Sequence, residues 1–212
     1  MRFEHLLELV GNEPLFESAL LLAGDVNPDN VHLQLTRWKN AGRIYQLRRG
    51  LYALAPPYQK IKPHPFLVAN HLQGASYVSC QSALGFHGLI PDIVSRTISV
   101  TGKRPISWET PLGVYRFRHI KPKLLHGYQM TELGGGQQAL IASPEKALLD
   151  LVYLGTGSDS PAYLKELRLQ NLERLDLDEL HKQAAHFDTP KIYRALEEIL
   201  LLVESEQEYE SL

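Results

Sequence analysis

The chain has a single cysteine, Cys80, among its 212 residues, which excludes an intrachain disulfide and any cysteine-rich zinc site. It has no apolar run near the length of a membrane-spanning helix; the longest, such as residues 18–23, are fragments. The first residues, Met1-Arg2-Phe3-Glu4-His5, turn polar and acidic at once and do not resemble a secretory signal, so a cytoplasmic location is expected. Acidic residues are missing altogether from residues 31–91. Apolar residues at 44% and charged residues at 22% are ordinary for a folded domain and exclude a disordered chain.

The formal charge of -2 conceals an uneven distribution. Residues 1–30 carry one arginine and six acids, residues 31–125 carry 14 Lys/Arg and two acids, and residues 126–212 carry 7 Lys/Arg and 16 acids. An anion-binding middle and a solvated acidic end follow from this pattern.

The acid-free stretch begins on a regular element. Residues 3–10 have helical spacing and stop at Gly11; a second apolar run, 15–23, reads as a helix closed by Gly24. A third helix starts at Asn27-Pro28, or one turn later at Asn30, and runs to Asn40 with Gly42 closing it. Val31, Leu35 and Trp38 form its apolar stripe, and His32, Thr36, Lys39 and Asn40 lie off it, with Leu33 and Arg37 towards the opposite side. Residues 44–47 and 51–54 are strand-like and joined through Arg48-Arg49-Gly50, a hairpin with arginine at its tip. Three helices followed by such a hairpin describe a winged helix-turn-helix. The expected organisation is therefore α+β: a winged unit over residues 1–57, a proline-broken linker over 58–65, and a larger mixed α/β domain over 66–212 with a helical, acidic C-terminal part. In that domain the patterns predict helices over 66–72, 80–87 and from Ser143-Pro144 to 154, strands over 97–100, 114–118 and 138–142, and helices from Ser160 onward, the last starting at Thr189-Pro190.

On the winged unit, Lys39 and Arg43 at the helix end and Arg48 and Arg49 on the hairpin are placed to meet phosphates. His32, Gln34, Thr36 and Asn40, with Arg37, are the side chains available to base edges on or beside the outward face. Tyr45 and Tyr52 read as hairpin packing. Enzymatic signals are poor. Gly134-Gly135-Gly136 precedes a strand-like run without the lysine of a phosphate loop, so it reads as a turn. The pairs His64/His71 and His181/His186 lack metal-ligand spacing, and Cys80 sits in an apolar helix as a small hydrophobe. No catalytic residue, metal or cofactor is expected. Asp150, among leucines, calls for an ion pair or helix-end hydrogen bond whose partner the sequence does not name. The cations of residues 96–123 either extend a DNA surface or face the acidic C-terminal region.

The segment Leu35-Thr-Arg-Trp-Lys-Asn-Ala-Gly-Arg-Ile-Tyr-Gln-Leu-Arg-Arg-Gly-Leu-Tyr-Ala-Leu54 resembles the helix, glycine, strand, Arg-Gly-x-Tyr signature of AbiEi-type antitoxins. These are the transcriptional-regulator half of bacterial AbiE (type IV) toxin–antitoxin systems. Tyr77-Val-Ser-Cys-Gln-Ser-Ala-Leu-Gly-Phe-His-Gly-Leu89 and Ala142-Ser-Pro-Glu-Lys-Ala-Leu-Leu-Asp-Leu151 are similar to further segments of that family, in the same order. The resemblance implies a repressor that binds inverted repeats of double-stranded DNA in its own promoter, with two copies meeting on the repeat. It also implies an antitoxin opposing a nucleotidyltransferase-like toxin without needing a stable complex. A solitary regulator with no toxin partner, or a scaffold or enzyme using the winged unit structurally, are the alternatives.

Overall fold

Phe3, Leu6 and Val10 recur at helical spacing and form the buried face of α1 (Phe3–Val10), which stops where Gly11 takes a φ of +58°. The next run departs from expectation. In the computed structural model, which describes residues 2–23, 26–91 and 95–210, residues 15–23 are not one helix. Phe16 and Glu17 form a short strand, β1 (Phe16–Glu17), and only α2 (Ser18–Leu21) is helical. Phe16 lies opposite Tyr52 and stacks on its ring at 5.6 Å between centroids. A short apolar run does not distinguish strand from helix by its pattern, and here cross-strand packing decides. The expected helix stop, Gly24, and the following Asp25 lie outside the described residues.

Next come α3 (Pro28–Asn40), β2 (Ile44–Arg48) and β3 (Leu51–Leu54), completing an antiparallel sheet in the order β1-β3-β2. All four residues of β3 are buried, and they divide between two cores. Tyr52 and Leu54 join Phe3, Leu6, Val31, Leu35 and Trp38 under the helices, whereas Leu51 and Ala53, with Leu15 and Leu47, belong to the core of the rest of the chain. The strand therefore has a helical layer on one face and the larger part of the molecule on the other, which accounts for its uninterrupted apolar sequence.

The larger part is built on a six-stranded sheet. Its strands are β4 (Ser76–Val78), β5 (Thr97–Thr101), β6 (Ile106–Thr110), β7 (Gly113–His119), β8 (Tyr128–Glu132) and β9 (Gln138–Ala142), ordered β6-β7-β5-β4-β9-β8. The pairs β4/β9 and β5/β7 are parallel and the others antiparallel. The helices are α4 (Pro65–Leu72), α5 (Cys80–Phe86), α6 (Pro144–Leu154), α7 (Pro161–Glu166), α8 (Leu177–Phe187) and α9 (Pro190–Glu210). The protein is thus α+β, as the sequence pattern predicts. Three strands escaped that reading: β4 is three residues long, and β6 and β8 are edge strands with few buried residues, so their alternation carries little apolar signal. Gly134, Gly135 and Gly136 make the β8–β9 turn, each with positive φ. Among the described residues no helix is long and apolar enough to cross a membrane.

A buried polar cluster joins α6 to the sheet. The Ser143 hydroxyl accepts from the Lys146 N–H at 3.2 Å, and with Pro144 at the first position it starts α6. One turn on, Asp150 receives three donors: the Tyr77 hydroxyl at 2.9 Å, the Ser79 hydroxyl at 2.8 Å, and the Lys146 ammonium, with which it forms an ion pair. Asp150, Lys146 and Ser79 are fully buried. The Lys146 ammonium also lies over two aromatic rings, with Nζ 4.6 Å from the Phe187 centroid and 5.6 Å from that of Tyr77. Burial pushes the Lys146 pKa down and that of Asp150 up, each opposed by the partner's charge. Burial and the nearby Asp150 push the Cys80 thiol up to about 12, so Cys80 is the inert hydrophobe its sequence context suggested.

Loss of one member of this pair leaves the other charge stranded, at a typical cost of about 3–5 kcal/mol. Asp150→Ala also strips the acceptor from Tyr77 and Ser79, so it is expected to destabilise more than Lys146→Met, which leaves Asp150 two hydroxyl donors. The two losses are expected to be strongly sub-additive when urea unfolding of single and double variants is compared. Small, additive losses would show that the pair does not hold α6 to the sheet.

Candidate nucleic-acid interface

The geometry of α3 follows from its ends. Asn27 caps it, its Oδ1 accepting from the N–H groups of Asp29 at 2.9 Å and Asn30 at 3.4 Å, with Pro28 at the first helical position. At the other end Gly42 adopts a φ of +67°, and the Gly42 and Arg43 N–H groups return to the carbonyls of Lys39 and Trp38. Val31, Leu35 and Trp38 are buried, which turns Leu33, Thr36, Arg37 and Asn40 outward, with His32 and Lys39 exposed on the flank and Gln34 half-buried. The Thr36 hydroxyl donates to the His32 carbonyl at 2.9 Å, so it presents its lone pairs to a ligand.

The cations assigned to this surface separate into two groups. Arg37 and Lys39 are exposed on α3; Lys39 reaches towards the hairpin and donates to Gln46 Oε1 at 3.4 Å. Arg49 is exposed at the hairpin tip and, among the described residues, has no side-chain hydrogen bond or ion pair. Arg43 instead folds back, its guanidinium 5.0 Å from the centroid of the Phe3 ring. Arg48 lies in β2 and is anchored. Its Nε donates to the His71 carbonyl at 3.2 Å, a terminal nitrogen donates to the Arg49 carbonyl at 3.0 Å, and the other lies 3.5 Å from Glu17 Oε1.

Pairing of Arg48 with Leu51 leaves Arg49-Gly50 as the turn, with Gly50 at a φ of +82° and its carbonyl accepting from the Ser18 N–H at 2.9 Å. The tip is therefore fixed to α2 on one side and, through Arg48, to the end of α4 on the other. The sequence reading missed this anchoring because both partners, Glu17 and His71, are remote in sequence. Glu17 moreover fell inside the segment read as helix. Burial lowers the His71 pKa, with Glu17 opposing and Arg48 adding to the shift. Leu33, 48% exposed in the middle of the outward face, also carried no assignment from sequence.

No family model and no curated protein matches the chain. Among solved structures, the fold is similar to that of the RV2827C protein from Mycobacterium tuberculosis, with a TM-score of 0.55 and 15% identity. The match covers 92% of this chain and 76% of that one. At such identity the likeness is one of fold alone.

The cap that positions α3 can be tested directly. Asn27→Ala is expected to lower stability by about 1 kcal/mol in urea or thermal unfolding, and Asn27→Ser to restore most of it. Equal stability of all three chains would mean that tertiary packing alone sets the start of the helix.

Proposed function

We propose that residues 1–57 form a winged helix-turn-helix unit that binds double-stranded DNA, with α3 in the major groove and the β2–β3 hairpin as its wing. The observation that carries this reading is the order α1-β1-α2-α3-β2-β3 with a β1-β3-β2 sheet, which leaves one face of α3 and the Arg49 tip exposed. On that face Thr36 and Asn40, and beside it His32 and the half-buried Gln34, offer donors and acceptors to base edges, and Leu33 offers an apolar surface for a thymine methyl. Arg37, Lys39 and Arg49 supply phosphate contacts. Arg43 and Arg48 act mainly within the fold, Arg43 against α1 and Arg48 holding the wing to α4.

By its sequence resemblance to AbiEi-type antitoxins, we propose further that the chain is an autoregulatory repressor and the antitoxin of a type IV system. Its target would be inverted repeats in its own promoter, bound by two copies. One such unit makes few phosphate contacts, and pairing on a repeat multiplies them. The nucleotidyltransferase-like toxin of such a system would be opposed without a stable complex. The buried Lys146–Asp150 cluster does not favour an enzyme, because its polar groups are covered and hydrogen-bonded to one another.

Two expected outcomes follow from the geometry. Arg49→Ala is expected to weaken binding of all duplexes alike and to flatten the dependence on salt by about one contact, a slope change near 0.9 in fluorescence anisotropy titrations. Asn40→Ala and Thr36→Ala are expected to change preference among operator variants by roughly 1–3 kcal/mol at one base position, read by selection from a randomised duplex pool. Unchanged preference in both would move base readout off this face of α3; absence of duplex binding by the unaltered chain would remove the reading altogether.

A further inference from the structure

The cations of residues 96–123 are sorted by the fold. Arg118 turns inward, donating from its guanidinium to the Leu154 carbonyl at the end of α6. Arg96 lies before β5, at the opposite end of that strand from Thr101. Arg116 is exposed in the middle of β7, whereas Lys103, Arg104, Lys121 and Lys123 are all exposed at the end of the sheet where β5 and β7 finish together.

Two polar contacts and the close approach of Leu125 to Gly102 fix that end. The Ile120 N–H donates to the Thr101 carbonyl at 2.9 Å, a ring nitrogen of His119 lies 3.0 Å from the Lys103 carbonyl, and a Cβ at Gly102 would sit 2.7 Å from Leu125 Cδ1. The loop after β5 and the turn after β7 are thus one packed surface. Among the described residues none of its four cations has an ion pair or a side-chain hydrogen bond. The sequence has no acid in residues 110–131, and Glu109 alone within 95–131.

This surface is joined to the wing by a short chain of contacts. Arg48 donates to the His71 carbonyl near the end of α4. The chain then turns through Gln73, Gly74 and Ala75 into β4, where Ser76 pairs with Thr101. The Thr101 hydroxyl donates to the Ala75 carbonyl at 3.1 Å and accepts from the Lys103 N–H at 3.2 Å. From the hairpin tip to the four cations the path crosses only the end of α4 and one turn. Two acids border it: Glu17, which faces Arg48, and Glu13, which lines a shallow depression together with His71.

We propose that Lys103, Arg104, Lys121 and Lys123 form a second phosphate-binding surface, which continues from the wing and grips the DNA backbone outside the segment read by α3. This rests on the DNA-binding reading above. It commits to duplex DNA because the surface adjoins the wing and because lysine and arginine with no partner of their own favour a phosphate backbone. The fixed backbone around Thr101 holds the roots of the four side chains together, so the ordering that opposes binding is that of the side chains and not of the loops. Its contribution is to affinity, not to sequence preference, since it holds no groups aimed at bases.

The test uses the full chain and its variant Lys103→Gln, Arg104→Gln, Lys121→Gln, Lys123→Gln, with Arg49→Ala alongside, on duplexes of about one and about three helical turns. A second pair, Lys121→Glu with Lys123→Glu, covers the case in which the fourfold variant does not fold. On the long duplex the fourfold variant is expected to bind at least roughly tenfold more weakly at moderate salt. Its salt slope is expected to fall by up to about 3.6, for four lost contacts at 0.9 each. The short duplex is expected to be bound almost as before, while Arg49→Ala weakens both.

Unchanged affinity and slope on the long duplex, with Arg49→Ala still impaired, would overturn this inference and leave the winged reading standing. Failure of the unaltered chain to bind either duplex would overturn both.

Discussion

Burial of β3 on both faces is the constraint on which the placement of the other elements depends. Leu51 and Ala53 look into the large core, while Tyr52 and Leu54 look into the small one. Full burial of a leucine contributes about 1.5–3 kcal/mol, and Leu51 and Leu54 obtain it from opposite sides. The hairpin cannot leave the body of the protein without uncovering one of these faces. The hairpin is held at a set position, with Arg48 and the Ser18–Gly50 hydrogen bond completing the attachment. What the hairpin tip can meet is therefore limited to what the end of α4 and the neighbouring end of the large sheet allow.

The Lys146–Asp150 pair constrains how α6 packs on the six-stranded sheet. A lysine and an aspartate taken wholly out of water are costly unless every polar group finds a partner. Here the carboxylate has three donors and the ammonium has a carboxylate and two rings. Tyr77 comes from β4, Ser79 from the position before α5, and Lys146 and Asp150 from α6, so one buried anion ties strand and helices together. The same β4 carries Ser76, whose pairing with Thr101 aligns the basic end of the sheet. Packing on one face and presentation at the end are thus set by a single three-residue strand.

Much of the fold was legible because its signals are local. The Asn27 cap, the Val31-Leu35-Trp38 stripe, the glycine-bearing hairpin, and the Ser143-Pro144 and Thr189-Pro190 helix starts each depend on neighbours within a turn or two. What was not legible depends on residues far apart in sequence. Phe16 is a strand residue because Tyr52 lies opposite it, and the Asp150 partners on the sheet lie 71 and 73 residues away. Lys146 was within reach, one turn before Asp150 on the same helix, and the i, i+4 spacing of opposite charges was the signal that pointed to it. The candidate site was legible as a set of residue types on α3 and the hairpin. Which of its arginines remain available was not.

That distinction decides how the charge distribution is to be understood. By composition the 14 cations of residues 31–125 are equivalent, and their excess suggests a single broad field. The fold assigns some of them elsewhere. Arg43 lies over an aromatic ring, Arg48 answers Glu17 and a backbone carbonyl, and Arg118 ends a helix. These groups already have their interactions, and a phosphate would have to displace those before gaining its own. Among the described residues Lys103, Arg104, Lys121, Lys123 and Arg49, like Arg37 and Arg116, have no side-chain hydrogen bond or ion pair to give up. A negatively charged backbone drawn by the whole field would therefore settle where the charges are uncommitted, and the fixed hairpin puts Arg49 at the beginning of that series.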